Sequence, residues 1–284
     1  MSNNKFIHLH VHSEYSVKDG IVRINDLINE SCNNNMPAVA ITDLTNLFAM
    51  VKFYKAAINK GVKPIFGADI WVEDDTTDNL TRLILLCQNK EGYNNLSVLI
   101  SNAYLTNQKL DKPVVKLSWL KENGDGLLAI LHPKINECVT LLENAEQNDN
   151  NSNNNIEKVK NNLLDWNKIF PSRFYVALSR ISKENESSYI SKLLPVLQEL
   201  KIPPVAVNEV CFIRTQEFDA HEARVCINEG NILEDINRPR NYTVEQYFKS
   251  SDEMCDLFQD IPEALYNTVE IAKRCNLVLN LDEV

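Results

Sequence analysis

The stretch Phe6-Ile7-His8-Leu9-His10-Val11-His12, near the start of the chain, decides how the fold is interpreted. Successive side chains of a β-strand point to opposite faces, so this alternation predicts a strand with imidazoles on one face and apolar side chains on the other. Three of the five histidines of the chain lie within it. Because neutral imidazole is a common metal ligand, the strand end predicts either a metal site or a polar rim on a buried sheet. The spacing alone leaves both interpretations open.

The composition of the 284 residues is that of a globular protein, with 44% hydrophobic and 24% charged residues. The net charge of -10 repels a phosphate backbone, so we expect no direct binding to DNA. The apolar runs are too short to span a bilayer, and the polar start Met1-Ser2-Asn3-Asn4-Lys5 lacks a signal-peptide pattern. We therefore expect a cytoplasmic protein with no membrane contact.

Short apolar runs alternate with helical patterns along most of the chain. The runs predict strands at Phe6–Val11, Ala38–Thr42, Pro64–Val72, Leu83–Cys87, Leu127–Leu131, Phe174–Leu178 and Pro204–Val207. Apolar residues at steps of three and four predict helices at Ile24–Asn33, Asn46–Lys60, Glu91–Tyr104, Ile156–Ile169 and Glu186–Leu200. This order predicts an α/β fold with a buried parallel sheet, either a barrel or a doubly wound sheet.

In both arrangements, functional side chains are expected at the carboxyl ends of the strands. These ends carry His10, His12, Asp43, Asp69, His132 and residues 208–211.

Beyond Thr215 the alternation gives way to helices. Ser250 and Glu253 predict a capping box, and Pro262 predicts the start of a helix that runs to Arg274. The run Leu277–Leu281 then has the pattern of a further strand. Between Asn148 and Asn155, six of eight residues are Asn, which predicts a surface insertion without regular structure.

Several segments together resemble one known family. They are HLHVHSEYSVKDG (8–20), PAVAITDLTNLFAMVKFYKAA (37–57), GVKPIFGADIWV (61–72), PPVAVNEVCFI (203–213) and FDAHEARVCINEG (218–230). The chain resembles the polymerase and histidinol phosphatase (PHP) domain, and more narrowly the N-terminal PHP domains of bacterial DNA polymerase III alpha subunits. The resemblance implies a distorted, TIM-like (β/α)7 barrel of seven parallel strands with extra C-terminal helices. It places the PHP domain at 1–275, with a flexible Asn-rich insertion near 147–155, and the start of a linker to an absent polymerase palm domain at 276–284.

The metal ligands of active PHP domains carry over only in part. His10, His12 and Asp19 match the family's motif, whereas Asp69 and Glu209 keep an acid of altered length. The family's other ligand positions, where it has His or Cys, hold Leu44, Arg82, Pro133 beside His132, and Cys211. The fixed charge of Arg82 opposes a nearby cation, so the resemblance implies a vestigial site that holds no metal. If an ion is bound, His10, His12, Asp19, Asp69 and Glu209 would hold it, and Zn or Mn suits those donors.

The resemblance also implies a role in DNA replication. The parent protein would be a DNA-directed DNA polymerase, a nucleotidyltransferase whose Mg-binding aspartates lie outside this segment, so no catalytic residue is expected here. The segment would then be a scaffold that stabilises the polymerase within the replicase holoenzyme and docks the epsilon proofreading exonuclease. The alternative is an active metal-dependent phosphoesterase, either a 3′-5′ exonuclease or a pyrophosphatase. His8, outside the motif, and His221, on a predicted helix, are interpreted as structural.

Overall fold

The computed structural model describes residues 6–74, 80–109, 112–132, 141–142, 149–183 and 185–281. The strands are β1 (Ala38–Leu44), β2 (Lys63–Glu73), β3 (Leu80–Cys87), β4 (Gln108–Lys109), β5 (Lys112–Lys116), β6 (Leu127–Leu131), β7 (Phe174–Ser179) and β8 (Pro204–Val207). The helices are α1 (Ile24–Asn33), α2 (Met50–Asn59), α3 (Lys90–Thr106), α4 (Leu117–Glu122), α5 (Asp149–Ile169), α6 (Glu186–Leu200), α7 (Phe218–Glu229), α8 (Ser251–Leu257) and α9 (Pro262–Arg274). A 3-10 turn at Thr215–Glu217 leads into α7.

The helix ends follow local chemistry, which is why the sequence predicted several of them. The predicted capping box is confirmed, because the Ser250 hydroxyl accepts a hydrogen bond from the Glu253 amide at 3.2 Å and the Glu253 carboxylate accepts one from the Ser250 amide at 2.6 Å. Pro262 occupies the first turn of α9, where no amide hydrogen is needed. Within the described ranges, no helix has both the length and the apolarity that crossing a bilayer requires.

One sheet contains all the strands, and the prediction that it is entirely parallel is wrong at β3. The order is β4-β5-β2-β3-β6-β7-β8, with β1 on the edge of β2. Strand β3 runs antiparallel to both β2 and β6, whereas β6, β7 and β8 are mutually parallel. The reason is the connection, since only residues 74–79 join β2 to β3, and a parallel crossover needs a dozen residues or more. The short strands β4 and β5 were not predicted.

The histidine-rich stretch is extended but does not form a ladder strand. Its carbonyls at His8 and Val11 accept hydrogen bonds from the amides of Ala40 and Thr42 in β1, both at 2.9 Å. On the other side, the His12 amide donates to the Val210 carbonyl at 2.8 Å, just beyond β8. Residues 6–12 therefore lie between the first and last strands, although the ladders between the named strands do not themselves close into a barrel.

Two further segments differ from their predictions. Residues 276–281 form neither a helix nor a strand, and the Lys63 ammonium holds the Asn276 side chain there at 2.8 Å. Residues 147–148 lie outside the described residues, but from Asp149 onward the Asn-rich run is helical backbone, at the start of α5. The same helix buries Val159, Leu163 and Trp166, so tertiary packing of its apolar face stabilises a helix that Asn propensity alone would not.

Both faces of the sheet are buried, as the near-continuous apolar runs predicted. Side chains at alternate strand positions pack into two hydrophobic clusters. The smaller cluster contains Ile65, Ile84, Ile130 and Val205 together with Ile271 of α9. Asp69 continues the alternation of Ile65 along β2, and Arg82 continues that of Ile84 along β3. An acidic residue, Asp69, and a basic residue, Arg82, therefore lie on the same face of the sheet as this apolar cluster.

Candidate functional site

The register between β2 and β3 determines which side chains meet at the candidate site. Trp71 pairs with Arg82, and Asp69 pairs with Ile84, so Arg82 and Asp69 are diagonal neighbours on one face. Side chains at such diagonal positions are within reach of each other when one of them is long. Because β3 is antiparallel, its first residues lie at the edge where β1 ends, and Leu44 is the register partner of Asp69 there.

Three potential metal ligands converge at this edge. The Nε2 atoms of His10 and His12 lie 2.9 and 3.3 Å from Oδ2 of Asp69, and 3.3 Å from each other. Bonds of 2.0–2.1 Å to a tetrahedral zinc ion would separate the donor atoms by about 3.3 Å. All three residues are buried, and they form a cluster of donors with the spacing of a metal site.

Arg82 binds the Asp69 carboxylate, which a metal ion at this position would need as a ligand. Its Nε donates to Oδ1 of Asp69 at 2.8 Å, and its terminal nitrogen contacts Oδ2, the atom that also faces both histidines. The side chains of Arg82 and Asp69 are only 12% and 1% exposed. Burial raises the pKa of Asp69, but the charge of Arg82 and the bonds from His10 and His12 hold that pKa well below its ordinary value. Because a fixed cation already neutralises the acid, the residues present do not fit a metal cluster.

Asp19 binds the opposite edge of the His12 ring. Its Oδ1 lies 2.9 Å from Nδ1 of His12, and its Oδ2 accepts a hydrogen bond from the Tyr242 hydroxyl at 3.1 Å. Burial lowers the pKa of His12, but attraction to Asp19 and hydrogen bonds to Asp19 and Asp69 raise it to about 10. Burial likewise raises the pKa of Asp19, and the charge of His12 outweighs it and lowers that pKa to about 2. A carboxylate on the outer nitrogen is the usual way to orient a metal-binding histidine, although here it favours the imidazolium.

The other predicted ligand positions make different contacts. Glu209, in the left-handed region with φ of 52°, directs its carboxylate to Nε2 of His132 at 2.9 Å. The ring centroids of His132 and His10 are 5.9 Å apart. Burial raises the pKa of Cys211 well above its ordinary value, and its Sγ lies 3.5 Å from the Glu209 carbonyl, so it is a buried thiol. Pro133 lies outside the described residues.

Asp43 accepts hydrogen bonds from the backbone and hydroxyl groups of the loop that follows the histidine-rich stretch, residues 13–16. Its oxygens accept hydrogen bonds from the Ser13 amide at 2.6 Å, the Ser13 hydroxyl at 2.8 Å and the Ser16 hydroxyl at 2.7 Å. The Ser16 hydroxyl also accepts from the Leu44 amide at 2.9 Å. These bonds fix residues 13–16, which lead to Asp19, so the role of Asp43 here is to hold the loop.

His8 and His221 also have structural contacts. The Nε2 atom of His8 lies 2.8 Å from the Lys249 carbonyl, and its ring lies 4.3 Å from that of Phe248, away from Asp69. His221 lies on α7 as predicted, and its Nε2 is 3.0 Å from the Asp19 carbonyl.

A cavity of about 490 Å³ opens above the convergent donors. Beyond the predicted residues, it is lined by Lys18, Trp71, Lys112, Lys183, Tyr189 and Tyr242, among others. Sequence inspection did not single out these residues for the site, because they come from loops, from the strands β2 and β5 and from the helix α6. Only the even spacing of Asp69 and Trp71 along β2 carried a signal for one of them.

Comparison with known proteins agrees with this architecture. The family model described as the PHP domain matches residues 8–181, so the chain belongs to the PHP domain family. Among curated relatives, it is 43% identical over 277 residues to DNA polymerase III subunit alpha of Pseudomonas aeruginosa, covering 97% of this chain and 23% of that protein. It is 43% identical to the same subunit of Vibrio cholerae and 42% identical to that of Escherichia coli K12, each over 284 residues, 100% of this chain and 24% of theirs.

The chain therefore spans about a quarter of the length of these relatives and is homologous to part of DNA polymerase III subunit alpha. Among solved structures, an amidohydrolase from Chromobacterium violaceum overlaps 71% of this chain and 86% of its own, with 10% identity and a TM-score of 0.47. That overlap is too weak to support a functional conclusion.

Proposed function

We propose that this chain is the PHP segment of a replicative DNA polymerase alpha subunit, and that it acts in the cytoplasm as a scaffold without hydrolytic activity of its own. In this role, residues 6–12 complete a barrel between β1 and the segment after β8. The polymerase reaction and its magnesium ions belong to the remaining three quarters of such a protein.

The ion pair between Arg82 and Asp69 carries this proposal. Hydrolysis by PHP enzymes would need several donors free to bind cations, and here the central carboxylate is held on both oxygens by a guanidinium. The apolar Leu44 lies in register beside it, where the family resemblance implies a histidine.

The test is the metal content of protein purified without chelator or metal-affinity tag, combined with assays of nuclease and pyrophosphatase activity in manganese. We expect less than one ion per chain and no release of nucleotide or phosphate. Two or more tightly held ions, or an activity abolished by His10→Ala, would refute the proposal and favour a phosphoesterase.

We further propose that the exterior of the domain docks the epsilon exonuclease, together with the rest of the alpha subunit. The homology to alpha subunits favours a separate proofreading partner, and so does the lack of hydrolytic activity proposed above. Calorimetric mixing of purified epsilon with this chain should show saturable binding. No heat of binding and no co-elution in gel filtration would contradict this part alone.

One observation, the spacing of three donor atoms, favours a second candidate function, that of a metal-dependent phosphoesterase. The spacing of His10, His12 and Asp69 is that of zinc ligands, so a shift of the Arg82 side chain would leave three donors in place. In that case the chain would hold Zn or Mn as a metal-dependent phosphoesterase. The manganese assay above distinguishes the two functions.

A further inference from the structure

A groove of about 350 Å³ lies where β1 and β2 begin, at the end of these strands opposite to the candidate site. Its lining is mostly apolar and comes from the end of α2, from the start of β2 and from the segment after α9. The apolar side chains in it include Tyr54, Ile58, Val62, Leu277 and Val278. Because Ile58 and Val278 are 53% and 69% exposed, the groove presents apolar surface to solvent.

The segment after α9 has the burial pattern of a β-strand. Cys275 and Leu277 are buried, and Leu279 packs against the larger hydrophobic cluster. The alternate residues Asn276 and Val278 are exposed. This period of two is that of a strand whose one face packs on the core.

The same segment lacks the hydrogen bonds of a strand. The Asn276 amide donates to the Gln88 carbonyl at 2.8 Å, which holds the segment against the end of β3. Among the described residues, however, the backbone of residues 277–279 has no hydrogen-bond partner. A row of unpaired donors and acceptors on such a segment can pair with a further strand, and an adjacent apolar pocket then accepts one of its side chains.

The groove also contains a charge that no acid neutralises. The Lys63 ammonium donates hydrogen bonds to the Ala272 carbonyl at 2.7 Å and to the side-chain oxygen of Asn276 at 2.8 Å. Both acceptors are neutral, and the described part of the chain offers Lys63 no carboxylate at ion-pair distance. Since an ammonium has three donors, one of them is left for a further acceptor, and a carboxylate makes the stronger bond.

We infer that this groove binds an extended, acidic peptide segment by strand addition along residues 277–281, and that the segment comes from the remainder of an alpha subunit. Main-chain hydrogen bonds supply the affinity, while an apolar side chain in the groove and a carboxylate at Lys63 select the segment.

The length of the relatives favours this source. The matched part covers 23 or 24% of their length, so more than three quarters of each lies outside it. A segment on the same polypeptide binds at a high effective concentration, which a separate protein lacks. The identity of the segment rests on the proposed membership of an alpha subunit, but not on the proposed lack of metal.

The test is hydrogen exchange, followed by mass spectrometry, of peptides that cover residues 277–281 in this chain alone and in the full alpha subunit. We expect exchange close to the unprotected rate in the chain alone, and exchange slower by about 10-fold or more in the full subunit. Ile58→Gln should speed exchange in the full subunit by about 5- to 10-fold, because roughly half of an isoleucine side chain is no longer buried. Lys63→Gln, which keeps a donor but removes the charge, should act in the same direction.

The matched control is Val98→Gln on α3, where the valine is 45% exposed and lies outside the lining of the groove. This variant also removes an exposed branched side chain from a helix, and it should leave the protection of residues 277–281 unchanged. Glutamine is a good helix former, so both helix variants should keep their fold, which circular dichroism checks.

Several results would overturn the inference. One is equally fast exchange in the chain alone and in the full subunit, and another is an equal effect of Ile58→Gln and Val98→Gln. Protection in the chain alone that rises with its concentration would assign the groove to a second copy, and protection that appears only with epsilon would assign it to epsilon. Protection that Lys63→Gln leaves unchanged would refute the acidic character of the segment. None of these results bears on the proposed lack of metal, which the metal content tests separately.

Discussion

Replacing Arg82 with alanine tests the central ion pair directly. The guanidinium binds both oxygens of Asp69, whose side chain is 1% exposed, so the variant leaves a buried carboxylate without its fixed cation. Removal of one partner from a buried pair costs about 3 to 5 kcal/mol. Since His10 and His12 lie against the same carboxylate and can share a proton with it, we expect the lower end, about 3 kcal/mol.

The assay is urea denaturation, with the free energy of unfolding taken from curves whose slopes agree between variants. The matched control is Arg180→Ala, because Arg180 also binds both oxygens of one carboxylate, that of Asp260, at 2.7 Å each through its two terminal nitrogens, but the Asp260 side chain is 56% exposed. Such an exposed pair contributes about 1 kcal/mol or less. The variant Arg82→Ala also frees the carboxylate beside two imidazoles, so zinc should raise its melting temperature but not that of the wild type.

If Arg82→Ala costs no more than Arg180→Ala, the guanidinium of Arg82 does not neutralise the buried Asp69 carboxylate. If zinc stabilises the wild type as much as the variant, the guanidinium does not exclude a metal ion.

The remaining predictions concern pH, the loop before the site and one helix end. Burial lowers the pKa of His8 from 6.5 to about 4, so the unfolded state binds more protons between these values, and stability should fall by up to about 3 kcal/mol as pH falls from 6.5 to 4. His8→Phe should flatten this slope in urea titrations at several pH values, and an unchanged slope would assign it to other groups. A Cβ at Gly20 would lie 2.0 Å from the Ser13 carbonyl oxygen, so Gly20→Ala should cost more than about 2 kcal/mol by thermal unfolding. Gly61→Ala is its control, with φ of 72° and open space, at about 1 kcal/mol; equal costs would mean that the loop adapts. Ser250→Ala should lose about 1 kcal/mol of stability through the α8 cap, and no loss would mean that solvent replaces the capping bond.

The sequence by itself determined most helices and the metal-like character of the start of the chain. The predictions for α1 and α6 agree with the structure at both ends, and Pro262 begins α9 as expected. Such features depend on periodicity and on capping residues within a few positions of each other, which any local inspection can find. The pairing of His10 and His12 on neighbouring alternate positions is of the same kind.

Only the tertiary structure decided what those residues bind. The contact between Arg82 and Asp69 requires β3 to run antiparallel to β2 in one particular register, and the prediction of a parallel strand missed it. Tyr242 reaches Asp19 from 223 residues away, and Lys112 reaches Trp71 from a two-strand edge that the sequence did not predict. Strand direction, register and long-range loop packing depend on the whole sheet, because a shift by one residue sends every side chain to the other face. The histidine pattern therefore predicts a potential metal site, whereas the fold places a guanidinium on the acid that would complete it.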